Sequence, residues 1–244
     1  MILAVDIGNT RIKCAVFENN NIIELFTFDA NELQKIFLFI LEKYTKIQVL
    51  VVASVGKVDV DAFSFLENRI KIEWITHQNL FPFENKYATP ATLGIDRMVL
   101  VAGAVLQFPN QNCLIIDAGT CITYDIVNSQ HHYLGGAISL GIRLRYKALH
   151  NYTAKLPLLE TKYPEHYIGN STFESLHSGV VNGLLFEIQG YIDRFELDYS
   201  NFTIILTGGD ALFLAKRLKN TIFANSNFLL ESLNYTYHYK IKND

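Results

Sequence analysis

The sequence predicts an α/β protein of two similar halves, mixed sheets flanked by helices, with residues 1–108 forming one domain and 109–244 the other. Three observations predict it. Short apolar, β-branched runs alternate with stretches of helical spacing. The order strand–strand–strand–helix–strand, opening on an aspartate at a strand end, starts again near Cys113. The region between Ala88 and Gln111 holds Pro90 and Pro109 but no flexible linker, so the halves should pack directly.

Each element has its own reason. Ile2–Val5 is an apolar strand ending at Asp6, and Ile12–Phe17 resumes after the turn "GNTRIK". Asn19, Asn20 and Asn21 form a polar hairpin turn leading to a third strand, Ile22–Phe28. Leu33, Ile36, Phe37, Ile40 and Leu41 recur at helical spacing and predict a helix over Leu33–Tyr44. Val49–Ala53 reads as a buried strand, Asp61–Asn68 as helix and Ile70–Ile75 as strand. The second half repeats the plan. "CLIIDAGTCITYDIV" from Cys113 copies the grammar of "MILAVDIGNTRIKCAVF", and a third strand runs from His131–Tyr133 to "GGAI". Helices follow at Tyr146–Leu149 and Thr172–Phe195, then strand Phe202–Leu206, the turn "TGGDA" and helix Leu212–Leu218. The alternating, Tyr-rich tail from Leu229 to Asp244 reads as an edge strand.

Composition narrows the function classes. Half of the 244 residues are hydrophobic and 18% are charged, which suits a filled globular core. The net charge of −3 and the lack of a basic run argue against nucleic acid as a partner. No uncharged run approaches the length needed to span a bilayer, and the N-terminus lacks the features of a secretory signal. Cys14, Cys113 and Cys121 form no pair or metal motif, and the seven histidines show no ligand spacing; a reducing, cytoplasmic setting is expected.

Three turns carry the chemistry. Asp6-Ile7-Gly8-Asn9-Thr10 places a carboxylate, a glycine and short polar side chains at a strand end. Such a turn can direct Asp6 at Mg²⁺, directly or through water, and bring Gly8, Asn9 and Thr10 to phosphate oxygens, with Lys13 neutralising charge. The same residues also suit a plain hairpin whose Asp and Asn bond the backbone. Asp117-Ala118-Gly119-Thr120 repeats the pattern, and two such turns can face one another across a cleft. Thr207-Gly208-Gly209-Asp210-Ala211 follows a strand and opens a helix, where glycines admit a nucleotide close to the backbone.

That constellation resembles the acetate and sugar kinase / heat-shock chaperone ATPase / actin superfamily. The likeness implies two duplicated ribonuclease H-like domains of the actin-like ATPase kind with an ATP cleft between them. "DIGNTRIK", "LGIDR", "DAGTCITYD", "GGAISLG", "GNSTFESLHSG" and "TGGDA" together resemble type III pantothenate kinase, with "GIDR" the most specific element. The resemblance implies ATP-dependent phosphorylation of pantothenate to 4'-phosphopantothenate, the first step of coenzyme A biosynthesis. It implies ATP contacts from Asp6, Ile7, Gly8, Asn9, Thr10, Arg11, Ile12, Lys13, Thr120, Gly208 and Gly209. Pantothenate contacts are implied at Tyr87, Gly94, Ile95, Asp96, Arg97 and Thr172, with Asp96 as general base. The same two residues, Asp96 and Arg97, would also serve as a helix-start pair. Asp117 is implied as ligand of a monovalent cation, K⁺ or NH₄⁺, alongside Mg²⁺. A homodimer is implied too, and the glycine-spaced helix from Thr172 is the candidate contact, though its apolar residues also suit packing within one chain. Leu140 and Cys121 depart from the family's usual Pro and Ala. The competing reading is a nucleotide-binding regulatory protein of the same fold without kinase activity, which has no need of "GIDR".

Overall fold

The computed structural model describes residues 1–55, 60–66 and 69–243. The chain forms two compact units, one of Met1–Asn110 with Gln130–Leu134 and Asn227–Asp244, the other of Gln111–Ser129 with Gly135–Ser226.

In the first unit, β1 (Ile2–Ile7), β2 (Ile12–Glu18) and β3 (Asn21–Phe28) form an antiparallel meander. Asn19 adopts φ 56° at the hairpin, a left-handed conformation that asparagine tolerates. Helix α1 (Leu33–Lys43) then returns the chain to β4 (Val49–Ser54), parallel to β1, and β5 (Lys71–Trp74) adds parallel to β4. The sheet order is β3-β2-β1-β4-β5. Leu3, Val5 and Ile7 point to a core shared with Ile12, Cys14, Val16, Phe37, Ile40 and Phe63. Phe28, Phe37, Phe63 and Trp74 line it as a row of ring contacts with centroids 5.2–5.9 Å apart. The expected helix from Asp61 lies in 3₁₀ turns over Val60–Leu66, and its end at residues 67–68 lies outside the described residues. Strand β6 (Glu84–Asn85) and helix α2 (Ile95–Gln107) follow.

The second unit repeats the path. β7 (Asn112–Ala118) pairs antiparallel with β8 (Cys121–Val127), which neighbours β9 (His132–Leu140). Helices α3 (Ile142–Asn151), α4 (Thr172–His177) and α5 (Gly183–Asp198) precede β10 (Phe202–Thr207), parallel to β7; α6 (Ala211–Ala215) leads to β11 (Phe223–Ala224), parallel to β10. The order β9-β8-β7-β10-β11 retraces β3-β2-β1-β4-β5 strand for strand. This is the duplicated ribonuclease H-like topology. Leu114, Ile116, Ala118, Ile122 and Tyr124 face a core with Ile142, Leu184, Ile188, Ile192 and Leu214. Asp117 and its register partners therefore point to the opposite face.

Two expectations are corrected. The helix expected over Thr172–Phe195 is broken by a π turn at Ser178–Asn182 between α4 and α5. The tail is not an edge strand but helix α7 (Phe228–Asn243), packed in the first unit against α2, β1, β2 and β4. Its alternating tyrosines carry β propensity, but burial of Phe228, Leu230 and Leu233 on α2 and the sheet decides for helix. Two of the polar groups buried with them are bonded: Asn234 Nδ2 donates to the Asn19 carbonyl at 3.1 Å and Thr236 Oγ1 to the Ser232 carbonyl at 2.7 Å, while the Ser232 hydroxyl and Asn234 Oδ1 find no hydrogen-bond partner among the described residues. Among the described residues no helix is long and apolar enough to cross a membrane.

Candidate active site

The Asp6 turn is built by β1 and β2. Asp6 and Lys13 are register partners, and the Gly8 N–H donates to the Arg11 carbonyl at 3.2 Å, closing the turn. Asn9, Thr10 and Arg11 are exposed, while Asp6, Gly8 and Lys13 are half-buried. Ile7 and Ile12 are 0% and 1% exposed, so their side chains belong to the core and only their backbone is available to a ligand. The Ile7 carbonyl already accepts the Val55 N–H at 3.1 Å.

Elsewhere in the first unit, four of the expected pantothenate residues come together at the start of α2. Gly94 is the N-cap and Asp96 the second helical residue, its carboxylate accepting the Arg97 N–H at 2.8 Å. A side chain at Gly94 would run into the Asp96 carboxylate, so glycine there leaves room for the acid. Burial pushes the Asp96 carboxyl above its usual range, against the opposing pull of the Arg97 N–H and guanidinium. Arg97 is 5% exposed and lies over the Tyr87 ring at 5.8 Å. Tyr87 stacks on buried Tyr133 at 6.0 Å, and Phe83 meets the same ring at 6.1 Å. The short pairing of β6 with His132 and Tyr133 holds that ring in place. His77, which the sequence marks as unremarkable, fixes the approach: its Nε2 lies 2.8 Å from the Leu93 carbonyl.

In the second unit, Asp117 sits on β7 with Thr123 of β8 and Thr207 of β10 as register partners on either side. All three share one sheet face. The hydroxyl oxygens of Thr123 and Thr207 are buried and find no hydrogen-bond partner among the described residues. Gly208 takes φ +93°, and any side chain there would strike the Asp117 carboxylate and the Ala118 carbonyl. The Asp210 N–H donates to the Ala118 carbonyl at 3.0 Å, locking "TGGDA" to the Asp117 turn. Gly209 is exposed with open space beside it, and Thr120 is exposed. Helix α6 spans only five residues, so close backbone approach, rather than a helix dipole, is what this turn offers a nucleotide.

A family model described as type III pantothenate kinase matches residues 2–194. The chain belongs to the type III pantothenate kinase family. A type III pantothenate kinase of Flavobacterium johnsoniae is 63% identical over 244 residues, 100% of both chains. One of Phocaeicola vulgatus is 35% identical over 99% of this chain and 100% of its own. Among solved structures, the activator of the 2-hydroxyisocaproyl-CoA dehydratase from Clostridium difficile aligns over 99% of this chain and 96% of its own, at TM-score 0.56 and 11% identity, and so shows the fold alone.

In this pantothenate kinase family member, Thr172 opens α4, but the cap is Ser171, whose hydroxyl accepts the Glu174 N–H at 3.3 Å. Thr172 itself is exposed and belongs to the second unit, whereas Tyr87 and Gly94–Arg97 belong to the first. The sequence assigns no ligand role to Thr123 or Thr207, nor to the ion pair between Arg145 of α3 and Glu187 of α5, at 2.5 Å. Register supplies the signal for the first two: once β7, β8 and β10 are aligned, the residues opposite Asp117 are threonines.

Proposed function

We propose that the chain transfers the γ-phosphate of ATP to the hydroxyl of pantothenate, giving 4'-phosphopantothenate and ADP at the entry to coenzyme A biosynthesis. The observation that carries the reading, beyond family membership, is Asp96. It is a half-buried carboxyl with a raised pKa, beside a buried arginine and a stacked tyrosine. As the new O–P bond forms, Asp96 takes the hydroxyl proton; the raised pKa makes it a better acceptor than an ordinary aspartate. Arg97 is suited to an anionic group of the substrate, and Tyr87 supplies an apolar wall. Phosphoryl transfer asks the protein mainly for positioning and charge neutralisation. Residues 6–13, Thr120, Gly208 and Gly209 are assigned to ATP. A purely regulatory nucleotide binder would have no use for this acid.

Asp6 would hold Mg²⁺, directly or through water, in the mode where one or two carboxylates and the substrate phosphates share the ion. Asp117 would hold K⁺ or NH₄⁺. The buried Thr123 and Thr207 hydroxyls beside it support the fit, since an all-oxygen donor set suits a hard cation. When bound, these ions offset phosphate charge.

A homodimer is part of the reading. Gly179, Gly183, Phe186, Gly190 and Leu197 fall on one stripe, at spacings of 4, 7, 11 and 18 from the first. The glycines face open space, and Phe186 and Leu197 are 67% and 79% exposed. The opposite side of α5 is what packs in the core, through Leu184, Ile188 and Ile192. A cytoplasmic location is proposed with it, consistent with three free cysteines.

Mass spectrometry after incubation with Mg-ATP and pantothenate tests the reaction. The expected product is singly phosphorylated pantothenate, formed with ADP and lost when Mg²⁺ is chelated. ATP consumption without that product would refute the assignment.

A further inference from the structure

One polar cluster in the second unit lies outside every residue assigned above. Glu187 of α5 accepts three hydrogen bonds: from Arg145 Nη2 at 2.5 Å, Tyr124 Oη at 2.8 Å and Ser139 Oγ at 3.2 Å. Arg145 of α3 also donates its Nε to the Leu140 carbonyl at 2.8 Å and its Nη2 to Ser139 Oγ at 3.1 Å. Leu140 ends β9, and the next residue, Gly141, donates its N–H to the Thr120 carbonyl at 3.1 Å. A continuous path of hydrogen bonds and main chain thus runs from α5 through α3 and the end of β9 to the turn that follows Asp117.

The pair is largely shielded from water, and burial pushes the Glu187 carboxyl up. The Arg145 guanidinium and then the Tyr124 hydroxyl outweigh burial and hold it below the usual glutamate range, so it carries its charge at neutral pH. Helices α3 and α5 do not need this bridge to dock. Ile142, Tyr146, Leu184 and Ile188 already pack them into the apolar core. What the bridge adds is direction. A planar guanidinium can grip a carboxylate and a carbonyl together, which fixes where Leu140 and hence Gly141 and Thr120 sit.

We propose that Glu187 and Arg145 are positioning residues that hold the Thr120 turn in its ATP-binding geometry through the Leu140 carbonyl. The proposal rests on the reading of Thr120 as an ATP contact. It predicts an effect on one substrate. Thr120 lies in the second unit, whereas Tyr87, Asp96 and Arg97 lie in the first.

The test uses the full chain as wild type, Glu187→Gln, Arg145→Lys and the double variant. Equilibrium binding of Mg-ATP, KM for each substrate and amide exchange at Gly141 are measured. Each single variant should weaken Mg-ATP binding about tenfold, as expected for one lost charge-assisted bond. KM for pantothenate should stay within about threefold, and the Gly141 amide should exchange faster. The double variant should be no worse than the weaker single, because both act through one path. Unchanged Gly141 protection in folded Glu187→Gln would overturn the clamp. Faster exchange with unchanged ATP binding would overturn the role of the Thr120 turn instead. Equal loss for both substrates would mark a merely structural bridge and also overturn the proposal. Should the charge variants not fold, Ser139→Ala serves: about threefold weaker ATP binding supports the clamp, and no change refutes it.

Discussion

At the scale of single residues, Asp96 and Thr207 make the clearest contrast between stability and function. The raised pKa of Asp96 comes first from burial. A carboxyl whose folded pKa exceeds its unfolded one favours the fold most at low pH, and that contribution is lost as pH rises through the folded value. In its proposed role as general base, however, Asp96 works only when ionised. Activity with pantothenate should therefore fall on the acid side at a pKa above the ordinary aspartate value of 3.8, while stability is not at its best where activity is. A pH profile of kcat/KM checks this; an acid limb at or below 3.8 would contradict it. Thr207 tells a similar story. A buried hydroxyl without a partner costs about 1–3 kcal/mol, so Thr207→Val should melt no lower than wild type. If the hydroxyl serves the cation at Asp117, the same variant should need several-fold more K⁺ for half-activation, measurable by titrating KCl. The motifs at Asp6, Asp117 and Asp96 were legible because each is contiguous in sequence. Thr123, Thr207 and Glu187 were not, because strand register and helix packing bring them together from distant positions.

At the scale of elements, the meander strands and α1 were legible from periodicity, since apolar spacing there reflects burial on one face. Helix α7 was misread because its tyrosines alternate, and only packing on α2 shows its true period. That packing is tight where α7 crosses α2: a side chain at Gly103 would collide with Ser232. Gly103→Val should cost about 1–3 kcal/mol, read as a lower denaturation midpoint. Because α2 also carries Asp96 and Arg97 at its N-terminus, turnover should fall with it. A fully stable Gly103→Val protein would show that the crossing can relax. The π turn at Ser178–Asn182 escaped sequence reading as well, since its residues continue the apolar spacing of a helix. Its polar residues turn to the preceding loop, Ser178 Oγ donating to the Tyr167 carbonyl at 2.5 Å and Asn182 Nδ2 to the His166 carbonyl at 3.4 Å.

At the scale of the whole molecule, one strand order written twice explains why two aspartate turns recur with the same grammar. It does not by itself specify a reaction, since the same fold serves many activities. The open glycine stripe on α5 is expected to be covered by a second copy; light scattering should give twice the chain mass, and Phe186→Glu should halve it. A wild-type monomer with full activity would remove the dimer. The proposed reaction turns on a single acid, Asp96. The most direct measurement is pantothenate-dependent ADP release by the wild type and by Asp96→Asn, at saturating Mg-ATP and K⁺. The account expects turnover to drop by about 100-fold or more in the variant, the usual weight of a general base, with the melting temperature unchanged or raised. Equal rates in the two proteins would contradict it.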